Sequence, residues 1–429
     1  MTQLAERHES LVSGLDALKG QPALNRDGFA DVRTSALGRF LANGFPTTRD
    51  EEWRFTNVAP IASLRLTPAP ARTVDPALAA GLQPAGQVGV SLVVVNGRLA
   101  GQMPTLPAGV HIRTISNATR QDLQPTRPQG ATVFVDLNTA FFEDVIVIEI
   151  APKAVVTEPI QVLFVSVVGA DPVLVTPRLV VHAGEASQST IVETHADASP
   201  DGVAVVNAVV DIHLEAGAIV DHVKVQRQSA VSFHLSGTFV RLERSSTFTS
   251  HAVTVGGRIA RNDIIAVLDG EGAECTLNGL YVGNGDSLID THTTIDHAKA
   301  HCPSHEVYKG IMAGRSKAVF NGKILVRLDA QKTDAKQTNK ALLLTDEAQI
   351  NSKPQLEILA DDVKCTHGAT VGQLDEDALF YLKARGIGAI DARNMLIHAF
   401  ADDVLNGIRA DLVRKTTMTL VERVLGLPS

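Results

Sequence analysis

From Ser91 onward the chain is a succession of short β-branched runs parted by Gly, Ala, Asp and Asn. Leu92–Asn96, Thr132–Asp136, Val145–Ile150, Ile160–Val165, Leu179–His182, Val209–Leu214 and Ala218–Val225 read as strands. A turn recurs between them: Ala-Pro-Lys-Ala154, Ala-Gly-Glu-Ala186, Glu-Ala-Gly-Ala218 and Gly-Glu-Gly-Ala273 each follow one strand and precede another. The first two steps are 32 residues and the third is 55, so the repeat is decorated. Ala318 and Ala348 close later turns of the same flavour. A unit of this size buries its apolar face only by stacking on its neighbours, which is how a solenoid is built. No helical pattern separates the strands, so a doubly wound sheet is disfavoured. A mainly β fold follows, first a β-helix or related stacked-sheet solenoid, second a β-sandwich. A solenoid has open ends, and the helical segments on both sides are expected to cap them.

Composition agrees. Hydrophobic residues make up 45% but aromatics only 4%, so the core is built from Val, Ile, Leu and Ala. The net charge of −8 is spread without a basic block, which argues against nucleic acid. Cys275, Cys302 and Cys365 form no disulfide framework and read as thiols of a reducing compartment. Residues 1–20 alternate charged and apolar positions, so neither a signal peptide nor a membrane span is expected. The expected location is cytoplasmic.

Three regions result: 1–90 helical with a linker, 91–370 the β-helix core, and 371–429 a helical docking region. Leu4, Leu11, Leu15 and Leu18 mark one N-terminal helix, and Asp27–Asn43 a second that Gly44 and Pro46 close. Trp53 reads as a core residue, and the Ala-, Pro- and Gly-rich residues 66–88 as the linker. Asp375 is placed as the N-cap of a helix that Gly386 stops. Two amphipathic stretches, Ala392–Leu405 and Arg409–Leu427, follow with stripes wide enough for a partner groove.

Chemistry concentrates in Cys365-Thr-His367 beside Gly368. On a strand these two soft ligands project the same way, but two are too few for a closed metal site. The remaining ligands would have to come from elsewhere or from another chain. His292, His297, His301, Cys302 and His305 are the densest ligand group, but their spacing fits no metal motif and they read as satisfied residues at solenoid turns. Phosphate-binding and nucleophile-elbow motifs are absent.

Four segments carry a family resemblance. Asn321-Gly-Lys-Ile, Gln337-Thr-Asn-Lys-Ala-Leu-Leu-Leu, Ala348-Gln-Ile-Asn-Ser-Lys-Pro-Gln-Leu-Glu-Ile and Val363-Lys-Cys-Thr-His-Gly-Ala-Thr-Val-Gly-Gln-Leu resemble the SufB/SufD family of iron–sulfur assembly scaffolds. His367-Gly-Ala-Thr-Val-Gly-Gln and Pro46-Thr-Thr-Arg-Asp-Glu-Glu-Trp-Arg-Phe-Thr are similar to its SufD branch. The resemblance implies a right-handed parallel β-helix between helical regions. It implies a non-catalytic subunit working with a SufB-like paralogue and a SufC-like ABC ATPase. It makes His367 a candidate ligand for iron or a nascent cluster at the paralogue interface, with the role of Cys365 less defined. The tail from Asp375 corresponds to the ATPase-docking region, where Phe380, Tyr381, Leu396 and Phe400 are the candidate contacts. No cofactor is expected to stay tightly bound to the chain alone; iron or a cluster would be transient in the complex. A homodimer outside the complex, a β-helix carbohydrate-active enzyme and the sulfur-accepting SufB role stay open as alternatives.

Overall fold

In a computed structural model, residues 29–83, 89–116, 118, 119, 122 and 133–427 are described. The helix expected over residues 2–19 lies outside them. The body is a parallel β-solenoid of two facing sheets, each coil giving one strand to each. One sheet holds Ile146–Ile150, Arg178–Ala183, Ala204–Leu214, Phe233–Leu242, Ile259–Leu268, Leu288–His297, Lys317–Val326 and Gln349–Ile358 in sequence order. Ile160–Ser166, Gln188–Asp197, Ile219–Gln226, Thr247–Thr254, Glu274–Gly283, Pro303–Met312, Asp334–Leu343 and Lys364–Gly372 stack likewise in the other. Alternation along each strand sends one row of side chains inward. Val210, Ile212, Leu214, Val220, Val240, Leu242 and Phe248 build that interior.

The repeat has a backbone cause. Lys153, Ala186, Gly217, Ser245, Gly272, His301 and Lys332 all take left-handed φ between the two sheets. Each donates its N–H to a carbonyl of the next coil, Lys153 to Glu185 at 2.7 Å and Lys332 to Asp362 at 2.7 Å being the first and last. The alanine spacing therefore slips by one at Ala186, which is itself the left-handed residue. The long step from Ala218 to Ala273 spans two coils, with Ser246 at the turn between them.

Three further expectations are corrected. The described part of Thr132–Asp136 is helical, within Val133–Phe141. That helix is buried on nearly all sides against Phe29–Asn43 and the outer face of the first sheet. Asn138 Nδ2 ties it down by donating to the carbonyls of Pro177 at 3.0 Å and Asn207 at 2.7 Å. The linker is partly built: Thr67–Pro68 pairs with Val173–Leu174, and Asp75 caps Pro76–Leu82. Finally, the described helices flank the sheets and do not cap the ends. The C-terminal pair Ala389–Leu405 and Asp411–Leu425 lays Ile397, Ala401, Leu405, Val413 and Leu420 on the outward Val223, Val225, Val253, Leu280 and Ile311 of the second sheet.

The two ends differ. At the N-terminal end antiparallel strands, Arg98–Ala100 and Val110–Arg113, terminate the sheets. Arg98 pairs with Glu143, and Arg113 with Asp122 and Glu149, so that edge is charged. Among the described residues the other end has no such cover.

Candidate functional site at the open end

Among the described residues the last two strands, Gln349–Ile358 and Lys364–Gly372, pair only with the preceding coil. Almost every residue in them is exposed or half-exposed, and Ile358, Leu359 and Val371 present apolar surface. An uncovered edge of this length is a template for pairing with another chain.

Cys365 and His367 lie on this final strand, in register with Ala335 and Gln337. Both partners are buried in the interior. The two candidate ligands therefore continue the inward row at the last coil, which no other described strand covers. Cys365 still packs against the buried cluster of Ile324, Val326, Ala330, Ala335 and Ala360, and burial, helped by the Asp334 carboxylate, raises its thiol. His367 is exposed, so of the two its imidazole is the more accessible donor. Among the described residues no group of three or more His, Cys, Asp and Glu side chains is placed to hold a metal ion. The open coil can contribute ligands, not close a coordination shell.

Beneath His367 sits a polar pair that sequence reasoning missed. Gln337 Nε2 donates to Glu306 Oε2 at 2.7 Å. Glu306 is wholly buried, which raises its carboxyl to about 7 against the pull of Thr293 and Gln337. The available signal was a charged residue at an inward strand position.

The four candidate docking residues separate. Phe380 and Tyr381 are 72% and 55% exposed, near the similarly exposed Ile390 and Met395 of the next helix. Leu396 is half-buried. Phe400 faces the body: Lys309 Nζ stands 4.3 Å from its ring centroid, donates to its carbonyl at 3.0 Å and pairs with Asp403 at 2.6 Å.

The histidine group scatters. His301 is a left-handed turn residue, and His305 is exposed on a strand. His297 bonds Ser304 at 3.0 Å inside the solenoid. His292 is not at a turn; it stands mid-strand on the outer face, between Asp290 at 3.0 Å and Glu52 at 3.1 Å. Burial depresses its imidazole, but the two carboxylates outweigh that and raise it to about 9. The residues around Trp53 form a strap there. Arg261 lies 3.8 Å over the Trp53 ring and donates to the Glu52 carbonyl at 2.6 Å, while Thr56 bonds Asp290 at 2.6 Å.

A second polar centre is enclosed deep in the solenoid. Glu193 faces His195 at 3.8 Å, His222 at 3.7 Å and Lys224 at 3.7 Å, all essentially unexposed. Burial opposes ionisation of Glu193, but Lys224 and the two imidazoles outweigh it and hold the carboxyl well below its usual range. Burial also lowers Lys224, which has a single close anion against the carboxylate's several donors. The ionised Glu193 is the direction this geometry supports.

A stacked-sheet body whose last described coil exposes an imidazole defines a parallel β-solenoid with a candidate ligand at its edge. Over residues 166–400 the chain matches the family model described as SUF system FeS cluster assembly, SufBD core domain. It is 33% identical over 399 residues to an iron-sulfur cluster assembly SufBD family protein of Synechocystis sp., covering 89% of this chain and 86% of that one. It is 31% identical to the iron-sulfur cluster assembly protein SufD of Escherichia coli, covering 90% of each. Protein ABCI7, chloroplastic, of Arabidopsis thaliana is 29% identical over 94% of this chain and 86% of its own length. The chain belongs to the SufBD family of SUF iron–sulfur cluster assembly proteins and is a SufD homologue. Among the described residues no helix is long and apolar enough to cross a membrane.

Proposed function

We propose that this chain is a non-catalytic, cytoplasmic scaffold subunit that pairs with a SufB-like paralogue and a SufC-like ABC ATPase to build and pass on nascent iron–sulfur clusters. The observation that carries this reading is the last coil, whose outer strand edge pairs with no other described strand and shares one surface with His367. Edge-to-edge pairing with the paralogue would satisfy the free backbone groups and bury Ile358, Leu359 and Val371. His367 then supplies one nitrogen to a cluster whose other ligands come from the paralogue, and Cys365 stands behind it. The cluster is cargo, so incomplete coordination suits its release. Without the paralogue, the same edge accepts a second copy of this chain. Phe380 and Tyr381 are the residues offered to the ATPase.

The test is iron and acid-labile sulfide per purified three-component complex. His367→Ala should leave assembly intact and lower both, with Cys365→Ser doing less. Unchanged content in His367→Ala removes the ligand role. Failure of the paralogue to co-purify removes the pairing.

A further inference from the structure

We infer that Gln337 is a positioning residue for His367: its amide oxygen accepts the ring N–H that His367 turns away from the metal, and Glu306 holds the amide in place. This rests on the proposed ligand role of His367. Gln337 and His367 are paired positions of adjacent parallel strands, on the same inward row. Neighbouring strands lie about 4.8 Å apart, so side chains at paired positions are within each other's reach.

The amide is fixed from two sides. Its Nε2 donates to Glu306 Oε2 at 2.7 Å. Across the interior stands Gly322, where a β-carbon would come within 2.2 Å of the same Nε2, so the absence of a side chain there makes room for the amide. With the nitrogen used, Oε1 is left buried without a hydrogen-bond partner among the described residues. Buried acceptors are rarely left so. The next amide on this row, Asn339, is already used at both ends, accepting from Tyr281 at 2.9 Å and donating to Ser352 at 3.0 Å. Gln337 Oε1 is thus the unmet acceptor at the position paired with His367, with the likewise unpaired Glu306 Oε1 one coil further in. Ligating histidines give their second N–H to such a group, which fixes the tautomer and ring plane.

Nitrogen NMR of the full chain with labelled histidine reads this without any metal. His367 should hold one tautomer, and Gln337→Met, which keeps the volume and loses the acceptor, should release it into a mixture. Gln337→Glu, which keeps acceptor oxygens, should restore it. In the assembled complex Gln337→Met should weaken ferrous iron binding about 10- to 100-fold. A mixed tautomer in the unmodified chain, or no change in Gln337→Met, overturns the inference. The ligand role fails separately, through unchanged iron in His367→Ala.

Discussion

Tyr308 lies across Gly279: a β-carbon on that glycine would come within 2.0 Å of the tyrosine Cε1. The relationship is reciprocal, because Tyr281 covers Gly310 with the same 2.0 Å approach. Both pairs are register partners of the adjacent strands Glu274–Gly283 and Pro303–Met312. Each ring fills the space its neighbour's side chain would need, and the layer lies between the Glu193 centre and the open end. Gly279→Ala and Gly310→Ala should each cost about 2 kcal/mol, as overpacking of a dense core does. Urea unfolding of the full chain reads this, and wild-type midpoints would mean the rings move aside freely.

The enclosed Glu193 centre predicts an asymmetry between single and paired substitutions. Glu193→Ala leaves Lys224 without its close anion inside the solenoid and should cost about 3–5 kcal/mol. Glu193→Leu with Lys224→Met removes both charges and should cost far less. The native carboxyl lies well below its ordinary 4.5, so its contribution is present above that value and is lost as pH falls through the native one. Acid unfolding curves of the pair should therefore converge with wild type at low pH.

The strap over the first sheet titrates the other way. His292 is raised from 6.5 to about 9, so its contribution is complete below 6.5 and disappears as pH rises through about 9. Its size is about 3 kcal/mol at most. Glu52, Asp290 and Arg261 are the charged groups facing it. His292→Gln should flatten the loss of stability between pH 7 and 10. Trp53 is the sole tryptophan and lies beneath Arg261, so its fluorescence reports the strap directly. An unchanged alkaline slope in His292→Gln would count against the assignment.

How much of this was legible in the sequence follows from where each signal lives. The solenoid was visible because stacked strands and turns leave a mark along the chain. The turn position was harder to read. What is conserved there is a left-handed backbone, met in turn by Lys, Ala, Gly, Ser, Gly, His and Lys, so alanine spacing tracked it only loosely. Val133–Phe141 was misread because its opening Val-Phe-Val is a β-branched and aromatic run that by itself reads as a strand. The Cys365 and His367 pair was legible, since alternate residues share a face of one strand. Glu306 and Gln337 were not, because they meet His367 only through the register of three coils. Flanking helices instead of end caps were equally hidden: the apolar outer rows of Val223, Val225 and Val253 alternate with interior residues and read as core.

The tail yields the last prediction. Phe380 and Tyr381 belong to a helix with no buried residue, whereas Phe400 belongs to one whose inner face covers the second sheet. Exposed aromatics are costly to leave in water and characteristic of interface centres, where truncation removes about 2 kcal/mol or more. Phe380→Ala and Tyr381→Ala should each weaken binding of the SufC-like ATPase roughly 30-fold by that measure, with thermal unfolding unchanged. Phe400→Ala should do the reverse in order of cause. It loses the ring under Lys309 and part of the packing on the sheet, so stability falls first, by about 2 kcal/mol, and binding follows only as the helix loosens. Calorimetry with the ATPase beside melting curves of the same variants separates the two effects. If Phe380→Ala and Tyr381→Ala bind like wild type, the proposed docking role of these two residues falls; if they also unfold early, the first helix is chiefly structural.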